Sequence, residues 1–437
     1  MVVSAEVPQG TKAEQDSAYR LAATLHIMPN AIRLTALALA VGTAIASGMT
    51  VGSAQQPAPQ PTPQQGAQSP GAQQGAQSQG ALGNRPGAER APEFPAPSIR
   101  DYKPRTTLVT GQHPVPRAKY PVIDIHSHQP TAITPAQFDT VVAAMDQLNL
   151  QVLVNASGAS GDRLVQAMAG IKATKHPKRM VMFSNINFAN VGPGYGARMA
   201  QQLEADVKAG ALGLGEIMKG FGLRAKKADG TRLKVDDPEL DPIWEAAARL
   251  KIPVLIHTGE PQEFFQPIDM ANERWMELAL FRDRRLPAGE FPRFDELMAE
   301  RDNLFKRHPK TTFVAAHFGW HANDLGRLGR MLDAMPNVHV ETGAILAELG
   351  RQPRAAHDFF VKYQDRVIFG KDSYQPDEYP YFWRTFETLD EYFDYYRAYH
   401  AFWKLYGMGL PDGVLKKLYY QNALRLIPGL PRDGFPR

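Results

Sequence analysis

Short apolar segments of strand type alternate with amphipathic segments of helix type between residues 120 and 371, and this alternation limits the possible folds more than any other feature. The strand-type segments are 121–126 (PVIDIH), 151–155 (QVLVN), 180–187 (MVMFSNIN), 211–217 (ALGLGEI), 252–257 (IPVLIH), 312–317 (TFVAAH), 338–342 (VHVET) and 366–371 (RVIFGK). Between them apolar residues recur three and four positions apart, as in 138–148, 164–171, 242–250 and 325–335. Repeated strand and helix units of this kind predict the α/β class and a closed (β/α)₈ TIM barrel of parallel strands.

A doubly wound open sheet would show the same alternation of strands and helices. Nucleotide-binding sheets of that kind carry a glycine-rich phosphate loop directly after the first strand. No such loop follows the first segment of this chain, where the sequence reads SHQP over 127–130. The barrel is therefore the favoured fold, and the aromatic-rich segment after residue 373 is expected to form extended C-terminal helices packed on it.

The N-terminal part of the chain has a different character. Residues 34–46 form an apolar run after Arg33, and small residues follow it, which is the pattern of a secretory signal peptide. Met28 stands where such a signal begins, so we expect Met28 to be the true start and the protein to be exported, periplasmic or secreted. An uncleaved membrane anchor is the alternative, although the run is shorter than the ~20 apolar residues that span a bilayer. After cleavage, no stable membrane insertion is expected.

The segment 55–105 is rich in Gln, Pro, Gly and Ala and poor in aliphatic residues. Such a composition cannot bury enough apolar surface to offset the entropy of ordering, so we expect a disordered linker. The predicted organisation is an N-terminal extension with the signal-like segment over 1–54, the linker over 55–105, and the barrel over 106–437.

Composition excludes several chemistries. The 437 residues include no cysteine, so thiolate zinc sites, iron–sulfur clusters and cysteine nucleophiles are excluded, and a metal would need His, Asp or Glu ligands. The formal charge is +4, and no run of Lys and Arg forms a basic stripe. Nucleic acid is therefore not expected as a partner.

Polar residues stand at the ends of the strand-type segments. They are His126, His128, Glu216, His257, His317, Glu341 and Asp372. The carboxyl ends of all strands of a barrel meet at one face, where catalytic residues lie. His126 and His128 are two residues apart, so on a strand their rings point to the same side and can bind one ion. A single histidine at a strand end is usually a core or loop residue, and it is the joint pattern that indicates a site.

Five motifs carry a resemblance to a known family. They are VIDIHSH (122–128), PVLIHT (253–258), FVAAHFG (313–319), IFGKD (368–372) and QNALRL (421–426). In order and strand context they resemble the amidohydrolase superfamily, in particular the metal-dependent hydrolase branch that includes relatives of aminocarboxymuconate-semialdehyde decarboxylase. The resemblance extends from about residue 120 to residue 427.

The resemblance implies a metal centre. His126, His128 and His257 would ligate a divalent ion, and Asp372 would complete the site and transfer a proton from water to a leaving group. His317 would ligate a second ion or polarise a substrate oxygen. Donors of this kind favour Zn²⁺, with Mn²⁺, Fe²⁺ or Co²⁺ as alternatives, and one or two ions would make hydroxide available at neutral pH. The resemblance also implies that the barrel can form homo-oligomers.

The fourth segment leaves two interpretations open. Members of the superfamily place a lysine, a glutamate or neither at its end, and this chain has Glu216 with Lys219 three residues later. Glu216 is either a ligand that bridges two ions or a strand-end carboxylate paired with Lys219.

Four further residues are candidates for contact with a small-molecule substrate, besides Lys219. They are Arg274, in the long insertion after the fifth segment, Trp320 and His321 at the rim, and Tyr374 beside Asp372. Arg274 could bind a carboxylate through two hydrogen bonds, or form a surface salt bridge.

Three functions remain. The leading hypothesis is a metal-dependent hydrolase of a C–N or C–O bond in a small amide, lactone or ester. The alternative enzyme is a non-oxidative decarboxylase or hydratase on the same barrel. The third hypothesis is an exported barrel that binds a ligand without catalysis.

Overall fold

The computed structural model describes residues 94–400 and 403–436. The signal-like segment and most of the predicted linker lie outside the described residues, while residues 94–105 at the end of that linker are exposed. In the part of the chain that is described, no helix is both long and apolar enough to cross a bilayer.

All eight predicted strands are present, in the predicted order. They are β1 (Val122–His128), β2 (Leu150–Ala159), β3 (Met180–Ser184), β4 (Leu214–Ile217), β5 (Val254–Ile256), β6 (Phe313–Ala315), β7 (Val338–Glu341) and β8 (Val367–Ile368), followed by the two-residue β9 (Asp372–Ser373). They form one parallel sheet in the order β8-β7-β6-β5-β4-β3-β2-β1-β9. The fold is therefore the TIM barrel that the sequence predicts.

The barrel closes between its first and eighth strand positions. Ile125 of β1 donates its backbone N–H to the carbonyl of Phe369, directly after β8, at 3.1 Å. A few residues later β9 pairs with β1, with Ser127 opposite Asp372 and His128 opposite Ser373. Closure thus places Asp372 next to the two histidines of β1.

Helices lie between the strands and continue after the last one. They are α1 (Pro135–Leu148), α2 (Gly161–Lys172), α3 (Tyr195–Ala209), α4 (Asp241–Leu250), α5 (Trp275–Leu280), α6 (Phe294–Arg307), α7 (Leu325–Ala334), α8 (Leu346–Arg351), α9 (Pro353–Lys362), α10 (Tyr379–Glu387), α11 (Asp412–Lys416) and α12 (Asn422–Leu426). The four helical segments inferred from apolar spacing correspond to α1, α2, α4 and α7.

Helix α1 illustrates how local sequence sets these elements. Thr134 caps the first turn by accepting a hydrogen bond from the N–H of Gln137, whose side chain bonds back to the N–H of Thr134. Proline at position 135 suits the first turn because its missing N–H would have no helical partner there. The helix ends at Asn149, which adopts a left-handed conformation with φ 65°.

The aromatic residues after residue 373 belong mostly to the core, as predicted. Helix α10 buries Tyr379, Phe382, Trp383 and Phe386 completely. The ring of Trp383 lies 4.9 Å from that of Phe369 at the end of β8. These side chains join the C-terminal helices to the barrel wall just below the strand ends that carry Asp372.

Several strands end earlier than their apolar segments do. Strand β6 stops at Ala315, and His317, Phe318 and Trp320 adopt left-handed backbone conformations with φ between 54° and 58°. Such conformations cost of order 1–3 kcal/mol for residues with a side chain, and they are concentrated at functional sites. The turn brings the rings of His317 and Trp320 to a centroid distance of 4.5 Å.

Candidate metal centre

The carboxyl ends of the strands bring the predicted polar residues together at one face of the barrel. His126 and His128 come from β1, Glu216 from β4, His257 and His317 from the turns after β5 and β6, Glu341 from β7, and Asp372 from β9. These residues are spread over nearly 250 positions of the sequence, and the closed sheet makes them neighbours.

The carboxylate of Glu216 lies at the middle of the four histidines. Its Oε1 is 2.7 Å from Nδ1 of His257, 3.3 Å from Nε2 of His126 and 3.7 Å from Nε2 of His317. Its Oε2 is 3.2 Å from Nε2 of His128. A single carboxylate therefore contacts imidazoles from three different strand positions.

The alternative pairing of Glu216 with Lys219 is wrong. The Nζ of Lys219 lies 3.6 Å from Oε1 of Glu260, and the Lys219 side chain is 65% exposed. The chain turns away after β4, so the lysine reaches the loop after β5 rather than the strand end. Glu216 belongs to the histidine cluster instead.

Hydrogen bonds at the far side of each ring determine which nitrogen faces the centre. Nδ1 of His317 is 2.8 Å from the carbonyl of Gly343, and Nε2 of His257 is 3.1 Å from the carbonyl of Gly259. A carbonyl oxygen only accepts, so these nitrogens carry the hydrogen, and the opposite nitrogens face the centre and offer lone pairs when the rings are neutral. Those two, Nε2 of His317 and Nδ1 of His257, lie 3.2 Å apart.

The same argument applies to the first strand. Nδ1 of His126 lies 3.2 Å from Oε1 of Glu341, a carboxylate that accepts its hydrogen, so Nε2 of His126 faces the centre. That Nε2 is 3.2 Å from Nε2 of His128 and 3.8 Å from Oδ1 of Asp372. Lone pairs and carboxylate oxygens thus point at a common space, an arrangement that a cation would satisfy.

Two overlapping groups of ligand atoms have the compactness needed for an ion. His126, His128 and Asp372 offer one set within 4.8 Å, and His126, Glu216 and His317 offer the other. Both are nitrogen and oxygen donors without thiolate, which suits Zn²⁺ and other first-row divalent ions.

Charge is strongly coupled within the cluster. Burial opposes ionisation of His257, but Glu216 outweighs it and raises the pKa of His257 to about 10. In the same way Glu216 and Glu341 raise the pKa of buried His126 well above its usual range. Burial alone would raise the pKa of Asp372, yet His126 and His317 lower it, so Asp372 is ionised.

Glu341 supports the cluster from below. It is fully buried and accepts hydrogen bonds from Nδ1 of His126 and from the backbone N–H groups of His317 and Gly343, the last two at 2.6 Å each. A Cβ at Gly370 would stand 2.3 Å from Oε2 of Glu341, so only glycine leaves room for this carboxylate. Glu341 therefore orients His126 and the turn that carries His317.

Asp124 forms a second support beneath β1. Its carboxylate accepts hydrogen bonds from the N–H groups of His126 and Lys371 at 3.0 and 3.1 Å and from the hydroxyl of Tyr379 at 2.7 Å. Burial raises the pKa of Asp124 to about 6 despite these three donors. The contacts tie the strand of the paired histidines to the segment that leads to Asp372.

A cavity of 410 Å³ opens beside the cluster, a size suited to one small molecule. Glu216, His257, His317 and Asp372 form its floor, and Trp320 forms part of its wall. Asp372 retains 32% side-chain exposure. The reactive carboxylate is thus reachable from the cavity.

The candidates for substrate contact divide into two groups. Lys219, Trp320 and Arg274 line the cavity, so contact of these residues with a substrate stays a prediction. The guanidinium of Arg274, however, is 5% exposed and is paired with Glu277 at 2.9 Å and with Glu348. Of the two alternatives for Arg274, the structure therefore shows the salt bridge, and it is buried rather than at the surface.

The other two candidates lie outside the cavity, so these predictions are wrong. His321 is buried against Arg301, with 3.3 Å between its Nε2 and the guanidinium, and burial and that cation lower the pKa of His321 to about 2. Tyr374 donates its hydroxyl to the carbonyl of Val141 in α1 at 3.1 Å. In both cases the left-handed backbone beside the functional residue turns its neighbour away.

Sequence reasoning missed several residues of the site. Glu341 was recognised as a polar strand end but received no role, although its position matched those of the ligand candidates. Glu260, Arg284 and Arg397 also line the cavity, and all three come from long connections whose path no periodicity reveals.

Comparison with known proteins gives the following. The fold is similar to that of a TIM-barrel protein from Bordetella bronchiseptica, with 15% identity over 70% of this chain and 97% of the other and a TM-score of 0.44. It is similar to that of 2,6-dihydroxybenzoate decarboxylase from Rhizobium, with 15% identity over 70% of this chain and 98% of the other and a TM-score of 0.43. It is also similar to that of a zinc-bound amidohydrolase from Burkholderia multivorans, with 14% identity over 70% of this chain and 100% of the other and a TM-score of 0.37. No functionally curated protein matches the chain. The family model described as amidohydrolase matches residues 110–429, a range that contains every strand of the barrel and every residue of the centre.

Proposed function

The chain belongs to the amidohydrolase family, and we propose that it is a metal-dependent hydrolase that uses activated water to cleave a C–N or C–O bond of a small amide, lactone or ester. The observation that carries this proposal is the convergence of imidazole lone pairs and two carboxylates on one space at the floor of a small-molecule cavity.

At least one divalent ion, with Zn²⁺ favoured, would be held by His126, His128, His257, Glu216 and Asp372. His317 fits the role of a ligand better than that of a donor to substrate, because its Nδ1 hydrogen is used by Gly343 and its Nε2 carries the lone pair. Glu216, whose two oxygens face different histidines, fits a ligand of one ion or a bridge between two.

A divalent ion bound there supplies Lewis acidity, which makes hydroxide available at neutral pH. Asp372 is ionised and exposed to the cavity, so it can accept the proton of the attacking water and deliver it to the leaving nitrogen or oxygen. Such proton transfers typically contribute 10²- to 10⁴-fold to the rate.

The remaining residues position these groups. Glu341 accepts hydrogen bonds from the ring of His126 and the backbone of His317 and so holds both in place. Asp124 holds the backbone of His126 by accepting its N–H. The indole of Trp320 packs on the rings of His317 and His257, at 4.5 and 5.6 Å between centroids. Its bulk excludes water from that side of the cluster, which strengthens the electrostatic interactions within it.

The second candidate is a non-oxidative decarboxylase or hydratase, and Arg397 in the cavity wall favours it. Arg397 lines the cavity and has no carboxylate within ion-pairing distance among the described residues, so this part of the wall attracts a substrate that carries a carboxylate. Hydrolysis of an acidic lactone or amide would use the same wall, so the two reactions must be separated by their products.

Elemental analysis of metal per chain, on full-length protein purified without chelator, tests the proposal first. About one ion would favour a single site, and about two would make Glu216 a bridge. Turnover on panels of lactones, amides and arene carboxylates follows. Cleavage of a C–N or C–O bond with ¹⁸O incorporation from water marks hydrolysis, ¹⁸O incorporation without cleavage marks hydration, and CO₂ release without ¹⁸O in the organic product marks decarboxylation. Protein that binds no Zn²⁺ or Mn²⁺ even after soaking would contradict the proposal and favour a barrel that only binds a ligand.

A further inference from the structure

Arg397 lies on the wall between two cavities. It lines the cavity of the metal centre and also an outer cavity of 860 Å³, which is bordered by residues between 99 and 106 on one side and by residues between 392 and 400, Trp403 and Lys404 on the other. Tyr399 is the other residue that the two cavities share. A molecule that passes from the outer cavity toward the strand ends would meet these two side chains.

Arg397 differs from the other arginines of the cavity wall because its charge has no protein partner. Arg274 is paired with Glu277 and Glu348, and Arg284 is paired with Glu277. No carboxylate among the described residues lies within ion-pairing distance of the Arg397 guanidinium. Its nearest recorded aromatic contact is the ring of Tyr396, 5.6 Å from the central guanidinium carbon.

Glu378, the carboxylate that acts most strongly on Arg397, already has another partner. Glu378 accepts a hydrogen bond from Nζ of buried Lys371 at 2.5 Å. The tyrosines at 395, 396 and 399 also lie near Arg397, and they offer no carboxylate to pair with it. A partly buried guanidinium in such surroundings keeps five donors free for an anion that enters the cavity.

The outer cavity carries an excess of positive charge. Arg100, Lys103 and Arg105 line it from the N-terminal side. Its one acidic lining residue, Asp394, is paired with Lys404. A cavity lined by one sign of charge raises the local concentration of ligands of the opposite sign and their rate of entry.

We propose that Arg397 binds a carboxylate group of the substrate, so that the enzyme acts on anionic small molecules that reach the metal centre through the basic outer cavity. This inference rests on the proposed function for its catalytic meaning, but the binding of a carboxylate by Arg397 can be measured without turnover. Arginine suits this task because its planar fork matches a carboxylate with two parallel hydrogen bonds.

The test compares a carboxylate with its neutral amide. Isothermal titration of the full chain with benzoate and benzamide, and with butyrate and butyramide, is carried out on metal-loaded and on chelator-treated protein. We expect at least one carboxylate to bind about tenfold tighter than its amide, which is the usual worth of a charge-assisted hydrogen bond. Arg397→Gln should abolish that preference and leave amide binding unchanged. Arg163→Gln, on the exposed face of α2, is the matched control and should behave as the parent.

Two outcomes overturn the inference. Either no carboxylate is preferred over its amide, or the preference survives in Arg397→Gln, which would mean that the anion lies on the metal or on another cation. If Arg397→Gln does not fold, as judged by thermal unfolding, Arg397→Lys carries the test: lysine keeps the charge but loses the fork, so carboxylate affinity should fall without disappearing. If the protein never binds metal but prefers a carboxylate over its amide through Arg397, the proposed function is contradicted and the binding of a carboxylate by Arg397 is still supported.

Discussion

Replacing Glu341 by glutamine tests whether the buried carboxylate at the end of β7 organises the metal centre. In the structure Oε1 accepts hydrogen bonds from Nδ1 of His126 and from the N–H of His317, and Oε2 accepts one from the N–H of Gly343. Glutamine has the same shape but a single acceptor. Whichever way its amide turns, its NH₂ group must face at least one of these donors.

The expected loss of stability follows from the number of donors that are left without an acceptor. A buried donor left without an acceptor costs about 1–3 kcal/mol, and the hydrogen bond lost here is one to a charged group. We therefore expect Glu341→Gln to lower the free energy of unfolding by about 1–3 kcal/mol. Because His126 keeps at best a neutral acceptor where a carboxylate now fixes its tautomer and ring, affinity for the ion should fall about 10- to 100-fold.

Metal affinity is measured by competition with a chromophoric chelator, and stability by thermal unfolding with and without Zn²⁺. Glu300→Gln is the matched control, since Glu300 is also buried and accepts three hydrogen bonds, from Arg232 and from the N–H of Val235, but does not line the cavity. Glu300→Gln should lower the free energy of unfolding and leave the Zn²⁺ affinity at the parent value. Parent-like affinity in Glu341→Gln, with Zn²⁺ bound, would refute the reasoning.

Three further predictions concern the same centre. Asp372→Asn should lower turnover about 100-fold or more at saturating metal, because the proton acceptor is lost; parent-like kcat would exclude the role given to Asp372. Gly370→Ala should lower the free energy of unfolding by about 1–3 kcal/mol and weaken metal binding, because the new Cβ would lie 2.3 Å from Oε2 of Glu341. Gly170→Ala is the control: it lies in a helix with open space around it and should be neutral or stabilising by under about 1 kcal/mol. Glu216 raises the pKa of His257 to about 10, so in ion-free protein a proton occupies Nδ1 of His257 at neutral pH and competes with the ion. Apparent Zn²⁺ affinity, measured by chelator competition, should therefore rise between about pH 6 and pH 8. An affinity that does not change over this range would contradict the account.

Local sequence was sufficient for the barrel and for most of its centre. Apolar segments of strand length, separated by helical spacing, have few ways to bury both faces, and the carboxyl ends of parallel strands share one face whatever the side chains are. This is why the strand-end positions of His126, His128, Glu216, His257, His317 and Asp372 predict that these residues lie together at one face. The two-residue spacing of His126 and His128 also followed from the strand period alone.

Tertiary structure decided everything that depends on the path of the long connections and on backbone conformation beyond the strands. Left-handed turns after β6 and at Asp372 sent His321 and Tyr374 away from the cavity, and no side-chain pattern encodes those turns. Arg274 found carboxylates from α5 and α8, while Arg397, more than a hundred residues later, was left facing the cavity without one. Periodicity reports which face of a strand or helix is buried; which charges meet across loops is set by packing between distant segments, and only the folded chain determines it.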